Sequence, residues 1–508
     1  MVASTSAPTA TAFGRPLSPS ERWFWIIDRI SPSNCTARVR VRGQLTVEQL
    51  ECAAAALTAE YPLLRVGVAD AGSGDPRLLP LQDPRIPVRR LLSDDPLAWQ
   101  CAIDAELIDP FDTRTGLARI VDIAQWPGTA AEQHDLILTV SHIVLDGRSL
   151  MTVLRKLIRY ASHESSDGCA GDAGPSHLRR AAVRSDDAHG IRRRPVPPGG
   201  AALAVEDGDR RAALADAERP GGVGSPAGIR SRAAFPPADD LIPAGARGFW
   251  RYVYSTLFDQ AAALVLRPLR VGGATPVGML ERRTRVVYRT IAAEPLAALV
   301  GDCRRAGVTV HGALAAAVAR ATGDSVRPKG SGVAGIGSPV DFRPLLRPRP
   351  DAEELGVYAP VLAGFVRFGP GESLWAAARS VNRQLERGIR QRRHLSTVAG
   401  MRFGTPRTVE SGRRIVDMVD RRAPWNVSVT NLGRIDFPEQ VGAWQVSGLT
   451  LTASNSCVSA VTVAIVTAHE KMRIGFCYVG GMLSEPEKFA DQVLAELISR
   501  PGPEFRIS

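Results

Sequence analysis

Apolar positions recur along this chain with two periods, and the period switches repeatedly. TARVRVRG (36–43) alternates by two and predicts a strand. TVEQLECAAAALTAEYP (46–62) instead places Leu50, Ala54, Leu57 and Tyr61 on one face, predicting a helix that Pro62 stops. SPSERWFWIIDRI opens with Ser18 and Ser20 as candidate N-caps and Glu21 just inside, so a helix is expected there as well. LLRVGVAD, GLARIVDIA and HDLILTVSH follow as strands. The same texture returns after Arg247: RTRVVYRTI as a strand, AEPLAALVGDCRRAG as a helix ending at Gly307, and two more helices in VTVHGALAAAVARAT and SLWAAARSVNRQLERGI. AVTVAIVTAHEKMRIGFCYVGG predicts a hairpin, and EPEKFADQVLAELIS a closing helix. Between these zones lies a stretch crowded with Gly, Pro, Ala, Asp and Arg that has no sustained apolar period. Such a segment buries too little surface to offset its ordering entropy. The pattern therefore predicts an α/β (α+β) chain of two lobes, 17–163 and 246–508, with a flexible N-terminus (1–16) and a linker or mobile insertion (164–245).

One segment concentrates chemistry: DLILTVSHIVLDGRSLMTVLRKLI (135–158). An apolar run ends in S-H-I-V-L-D-G-R-S, and an amphipathic helix starts between Asp146 and Ser149, with Leu150, Val153, Leu154, Leu157 and Ile158 on its buried face. His142 thus stands at a strand's exit, where α/β proteins build sites, and imidazole suits proton transfer near neutral pH. The Ile-Val-Leu run between His142 and Asp146 predicts a buried loop, so Asp146 requires an arginine partner. Gly147 would permit a left-handed or otherwise tight turn there. Two readings stay open at this point: a proton-transfer histidine, or a structural histidine in a turn with Asp146 as an N-cap.

Composition narrows the function classes. The chain has 508 residues, a formal net charge of +11, and 59 arginines against four lysines. The cations are dispersed and not interleaved with aromatics, which argues against nucleic-acid binding. Seven scattered cysteines without C-x-x-C suggest reduced thiols, hence a cytoplasmic protein with neither a disulfide frame nor a zinc cluster. Eight histidines show no metal-ligand spacing, so no metal site is expected. GSGVAG (330–335) matches the dinucleotide fingerprint but runs into a strand-like IGSPVDFRP where a helix is needed. No signal peptide and no transmembrane segment are expected.

The H-x-x-x-D-G of His142, Asp146 and Gly147 resembles the signature of the CoA-dependent acyltransferase superfamily, which includes chloramphenicol acetyltransferase, condensation domains and polyketide-associated acyltransferases of the phthiocerol dimycocerosyl transferase type. LSPSERWFW, LTVEQLECAAAALTAEYPLLRVGV, VTVHGALAAAVARA, SPVDFRPLL and VSVTNLGRIDFP resemble further family segments and follow the family's order. The resemblance implies two chloramphenicol-acetyltransferase-like lobes forming a V-shaped pseudo-dimer with a tunnel between them. It implies His142 as the general base facing the acceptor. Asp146 and Gly147 would support its loop, with Asp146 paired to Arg343 of V-D-F-R, and Asn431 and Gly433 of T-N-L-G would lie near the tunnel. The family often reads H-H-x-x-x-D-G, whereas this chain has Ser141 at the first histidine's place, and Phe342 stands where leucine is usual.

The implied donor is a phosphopantetheine thioester, either acyl-CoA or an acidic acyl carrier protein that a basic surface would help steer. It is a co-substrate, and no permanently bound cofactor is expected. The acceptor bears a hydroxyl or an amine. The text most resembles the stand-alone polyketide-associated enzymes that make esters of polyketides, lipids or other secondary metabolites. A free-standing condensation enzyme forming an amide, and a non-catalytic docking module, are the alternatives.

Overall fold

The computed structural model describes residues 14–70, 75–163, 229–272 and 277–498. The flexible terminus expected at 1–16 and the linker expected at 164–245 fall largely outside these residues. The part of that linker that is described, 229–245, is packed: Ala238, Leu241 and Ile242 are buried with Ala246, Phe342, Leu346 and Tyr358.

The first lobe is built on a six-stranded sheet in the order Gln440–Val441, Trp444–Ala453, Asn34–Arg42, Gln133–Ser141, Ala118–Gln125, Val88–Leu92. Its central strand Gln133–Ser141 is buried along its whole length because both faces are covered. Leu136, Leu138 and Val140 face a core shared with the helices Val47–Glu60 and Gly147–His163. Ile137 faces the opposite way, against Trp99, Ile103 and Leu107 of the helix Ala98–Ile108. The helix Val47–Glu60 is closed at its start by a capping box between Thr46 and Gln49, and Ser18 with Glu21 does the same for Pro19–Asp28.

The second lobe carries the sheet Val361–Phe368, Gly332–Pro339, Val427–Arg434, Val461–Ala468, Lys471–Val479, Thr284–Ile291. The Ala-rich helix Val310–Val326 packs on it, and its small side chains permit close approach to the helix Leu374–Arg390. A third, three-stranded sheet joins Arg15–Pro16, Pro76–Pro80 and Val66–Asp70.

The lobes are not consecutive pieces of chain. Trp444–Ala453 leaves the second lobe and pairs antiparallel with Asn34–Arg42, from Gln445 opposite Arg42 to Ala453 opposite Cys35. The first sheet is therefore completed by residues about 400 positions downstream, a pairing that hydrophobic period alone does not encode. Among the described residues no helix is long and apolar enough to cross a membrane, and no group of three or more His, Cys, Asp or Glu is placed to hold a metal.

Candidate active site

The strand Gln133–Ser141 delivers its last residue and the following loop to the seam between the lobes. Ser141 is fully buried, and its Oγ accepts from the Ile143 amide at 3.4 Å. His142 is tied down by its backbone, whose N–H donates to the Ser33 carbonyl at 2.9 Å. Its ring lies on Phe24 of the helix Pro19–Asp28, with centroids 4.4 Å apart and planes 24° from parallel. Among the described residues no side chain hydrogen-bonds its ring, and Nδ1 is buried without a partner. Burial pushes the imidazole below the ordinary histidine value of 6.5, an effect that the charge of Asp146 and the loop's own backbone only partly oppose. The ring is thus neutral near pH 7, as a proton acceptor must be.

Ile143, Val144 and Leu145 are buried, which turns Asp146 away from the imidazole and into the second lobe. Its Oδ1 accepts from the Ser149 amide at 2.9 Å and from the Arg343 guanidinium at 2.9 Å, and its Oδ2 accepts from the Tyr358 amide at 2.9 Å. Burial alone would raise this carboxyl, but the Arg343 charge and the three donors outweigh it and hold Asp146 below the usual carboxylate range. Asp146 is therefore both the N-cap of the helix Gly147–His163 and half of a buried ion pair. Arg343 also donates to Ser149 Oγ at 3.0 Å and lies over the Tyr358 ring at 4.3 Å. Ser149 Oγ in turn donates to the Gly356 carbonyl at 2.9 Å, and the Asp146 amide donates to the same carbonyl at 3.0 Å. A Cβ on Gly356 would meet the Tyr358 ring at 2.4 Å, so only glycine allows this turn of backbone to reach the loop.

Gly147 does not use the left-handed freedom that glycine permits. It is the first residue of the helix and does not adopt a left-handed turn; a side chain there would point at Leu432 and Leu451, at 3.4 Å and 3.7 Å. The tight left-handed residue is Gly433, at φ +72°, whose N–H donates to Asn431 Oδ1 at 2.8 Å. This turn breaks the register of Val427–Arg434 against Val461–Ala468 between Asn431 and Arg434 and directs Leu432 onto the first lobe's core. The structure thus brings the His142 loop, the V-D-F-R segment and the T-N-L-G segment to one seam. Phe24, Tyr358 and Gly356 join them without having been singled out in the sequence. The aromatic run W-F-W inside a well-capped helix was the available signal for Phe24.

Residues 281–484 match the family model for the phthiocerol/phthiodiolone dimycocerosyl transferase C-terminus. Searching curated protein sequences gives no match. Among solved structures, trichothecene 15-O-acetyltransferase from Fusarium sporotrichioides superposes with a TM-score of 0.64 and 11% identity, over 97% of this chain and 99% of the other. The fold is that of the CoA-dependent acyltransferase superfamily. Polyketide synthase associated protein 5 from Mycobacterium tuberculosis shares it at a TM-score of 0.58 and 13% identity, over 96% and 97% of the two chains. The starter condensation domain of rhizomide synthetase, solved with C8-CoA, shares it at 0.57 and 15%, over 96% and 94%. In this superfamily fold the two lobes are chloramphenicol-acetyltransferase-like halves of a pseudo-dimer, and the Asp146–Arg343 pair of this chain fastens one half to the other.

Proposed function

We propose that this chain is an acyltransferase that moves an acyl group from a phosphopantetheine thioester to a hydroxyl, with His142 as general base. The neutral imidazole takes the acceptor's proton as its oxygen attacks the thioester carbonyl. The tetrahedral intermediate collapses, the C–S bond breaks, and the thiolate leaves with the proton that His142 returns. Asp146 and Arg343 move no proton; they hold the loop at the angle that aims the ring, and Phe24 fixes the ring's plane.

The observation that carries this reading is the placement of His142, stacked on Phe24 at the inter-lobe seam with no side chain among the described residues on its nitrogens; burial that lowers its pKa favours the neutral ring. The donor is acyl-CoA or an acyl group on an acidic carrier protein, and the rhizomide domain's C8-CoA supports the former chemistry for the fold. An ester product is favoured by the likeness of residues 281–484 to the phthiocerol/phthiodiolone dimycocerosyl transferase family and of the fold to a 15-O-acetyltransferase. The test is transfer from acyl-CoA and from acyl carrier protein to matched alcohol and amine acceptors, with wild type and His142→Ala side by side. Ester formation abolished in the variant supports the reading. Full turnover by His142→Ala removes the general base, and amide formation alone moves the protein to the condensation alternative.

A further inference from the structure

The helix Phe249–Leu266 leaves most of its large apolar side chains in solvent. A surface helix ordinarily buries its apolar stripe and exposes its polar one. Here the docked face is mixed: Tyr252 packs on Gly400, Ser255 Oγ bonds the Arg393 carbonyl at 3.3 Å and Thr397 Oγ1 at 3.1 Å, and Asp259 pairs with Arg393. The outward face is apolar. Trp250, Tyr254, Leu257, Ala261 and Leu264 follow one another at helical spacing, and the four large ones are 78%, 53%, 60% and 77% exposed. Phe249, Phe258 and Val265 widen the stripe, and Phe403 extends it from the helix Arg393–Gly404. Seven of the sixteen exposed large hydrophobic side chains among the described residues sit on this helix.

The rim is cationic. Arg251, Arg267, Arg390, Arg392 and Arg402 are exposed and make no ion pair among the described residues, while the helix's only carboxylate, Asp259, is already taken by Arg393. A second copy of the same face would set like charges against each other, which disfavours self-association. The stripe runs along one helix, about 21 Å long at 1.5 Å per residue. A stripe of Trp, Tyr and Leu flanked by arginines matches the interfacial layer of a lipid bilayer that carries negative charge.

We propose that Phe249–Leu266 is an interfacial anchor that lays its Trp250–Leu264 stripe into an anionic lipid surface. The helix rests on Arg393–Gly404, which packs against Pro19–Asp28, the helix whose Phe24 stacks on His142. The anchor would therefore hold the catalytic seam close to the lipid, where an apolar acceptor or product partitions. The anchoring itself does not depend on the reaction assigned to His142.

Flotation of the purified full chain with vesicles tests it, comparing phosphatidylcholine alone with phosphatidylcholine containing phosphatidylglycerol. Partition onto the anionic vesicles, weaker on neutral ones and falling with salt, is the expected result. Trp250→Glu and Leu264→Glu, both on exposed positions that folding does not require, each reduce it about tenfold or more, from the apolar surface they withdraw. His142→Ala floats like wild type, so failure of the anchor and failure of the acyltransferase reading are separable. Absence of partition overturns the proposal, as do equal partition of the two Glu variants, a concentration-dependent dimer that these variants abolish, and capture of an acidic carrier protein by the stripe without vesicle binding.

Discussion

The strand Gln133–Ser141 has a histidine at each end, and the two could hardly be treated more differently. His134 is fully buried between carboxylates, with Nδ1 2.9 Å from Asp122 and Nε2 3.0 Å from Glu132. Asp122 is held in turn by Arg90, 2.6 Å away, so the whole group is satisfied and closed. His142, eight residues later, has an aromatic ring for a neighbour and no side chain on its nitrogens. The contrast teaches that burial alone does not suit an imidazole to proton transfer. What suits His142 to the proposed role is an environment that favours the neutral ring while no side chain claims its nitrogens.

That contrast can be broken most forcefully by exchanging its consequences. His142→Ala should lower acyl-transfer turnover by about 10²–10⁴-fold while thermal unfolding barely moves. His134→Ala should do the reverse: it strips two buried carboxylates of a partner, lowering stability by about 2–4 kcal/mol while turnover per folded molecule stays near wild type. Calorimetry beside an acyl-transfer assay reads both, and a stability loss at His142 as large as that at His134 would erase the distinction.

The support of the His142 loop comes next. Arg343→Ala leaves Asp146 buried without its cation, and a loss of about 3–5 kcal/mol in chemical denaturation is expected. Arg343→Lys should recover only part of it, because an ammonium cannot bridge Asp146 and Ser149 and cover the Tyr358 ring as the planar guanidinium does. An Arg343→Ala protein as stable as wild type would show that the pair does not fasten the lobes.

The smallest effects distinguish two glycines. Gly433→Ala forces a left-handed residue to carry a Cβ and should cost about 1–2 kcal/mol. Gly147→Ala enters a helix with its Cβ at ordinary contact distance from Leu432, so the change in stability should stay within about 1 kcal/mol. The opposite ranking of the two melting temperatures would return the strained turn to Gly147.

Much of this site was legible because its parts are local. The strand, the apolar loop and the helix of 135–158 are written in consecutive periods, and the capped helices at Ser18 and Thr46 follow from side-chain chemistry within four residues. The rest depends on contacts across the chain. Nothing in the period of WQVSGLTLTA says that it joins a sheet with Asn34–Arg42, nor that Gly356 and Tyr358 supply backbone partners to Asp146. The role of Gly147 stayed open for a related reason: a glycine at a helix start can serve a turn or a close approach, and only Leu432, from the other lobe, decides which. The exposed apolar stripe of Phe249–Leu266 also escaped notice, since such a stripe has the same period whether it faces a core or the solvent.

The central claim is that His142 acts as a neutral base, and the pH dependence of kcat/KM tests it most directly. A base must be unprotonated to act, so activity should fall as pH drops through the folded-state pKa of His142. Burial depresses that pKa, which places the acidic limb below 6.5 and leaves the rate level through neutral pH. The account predicts such a limb, absent from the residual rate of His142→Ala. A limb centred above 6.5, or one that survives unchanged in His142→Ala, would contradict it.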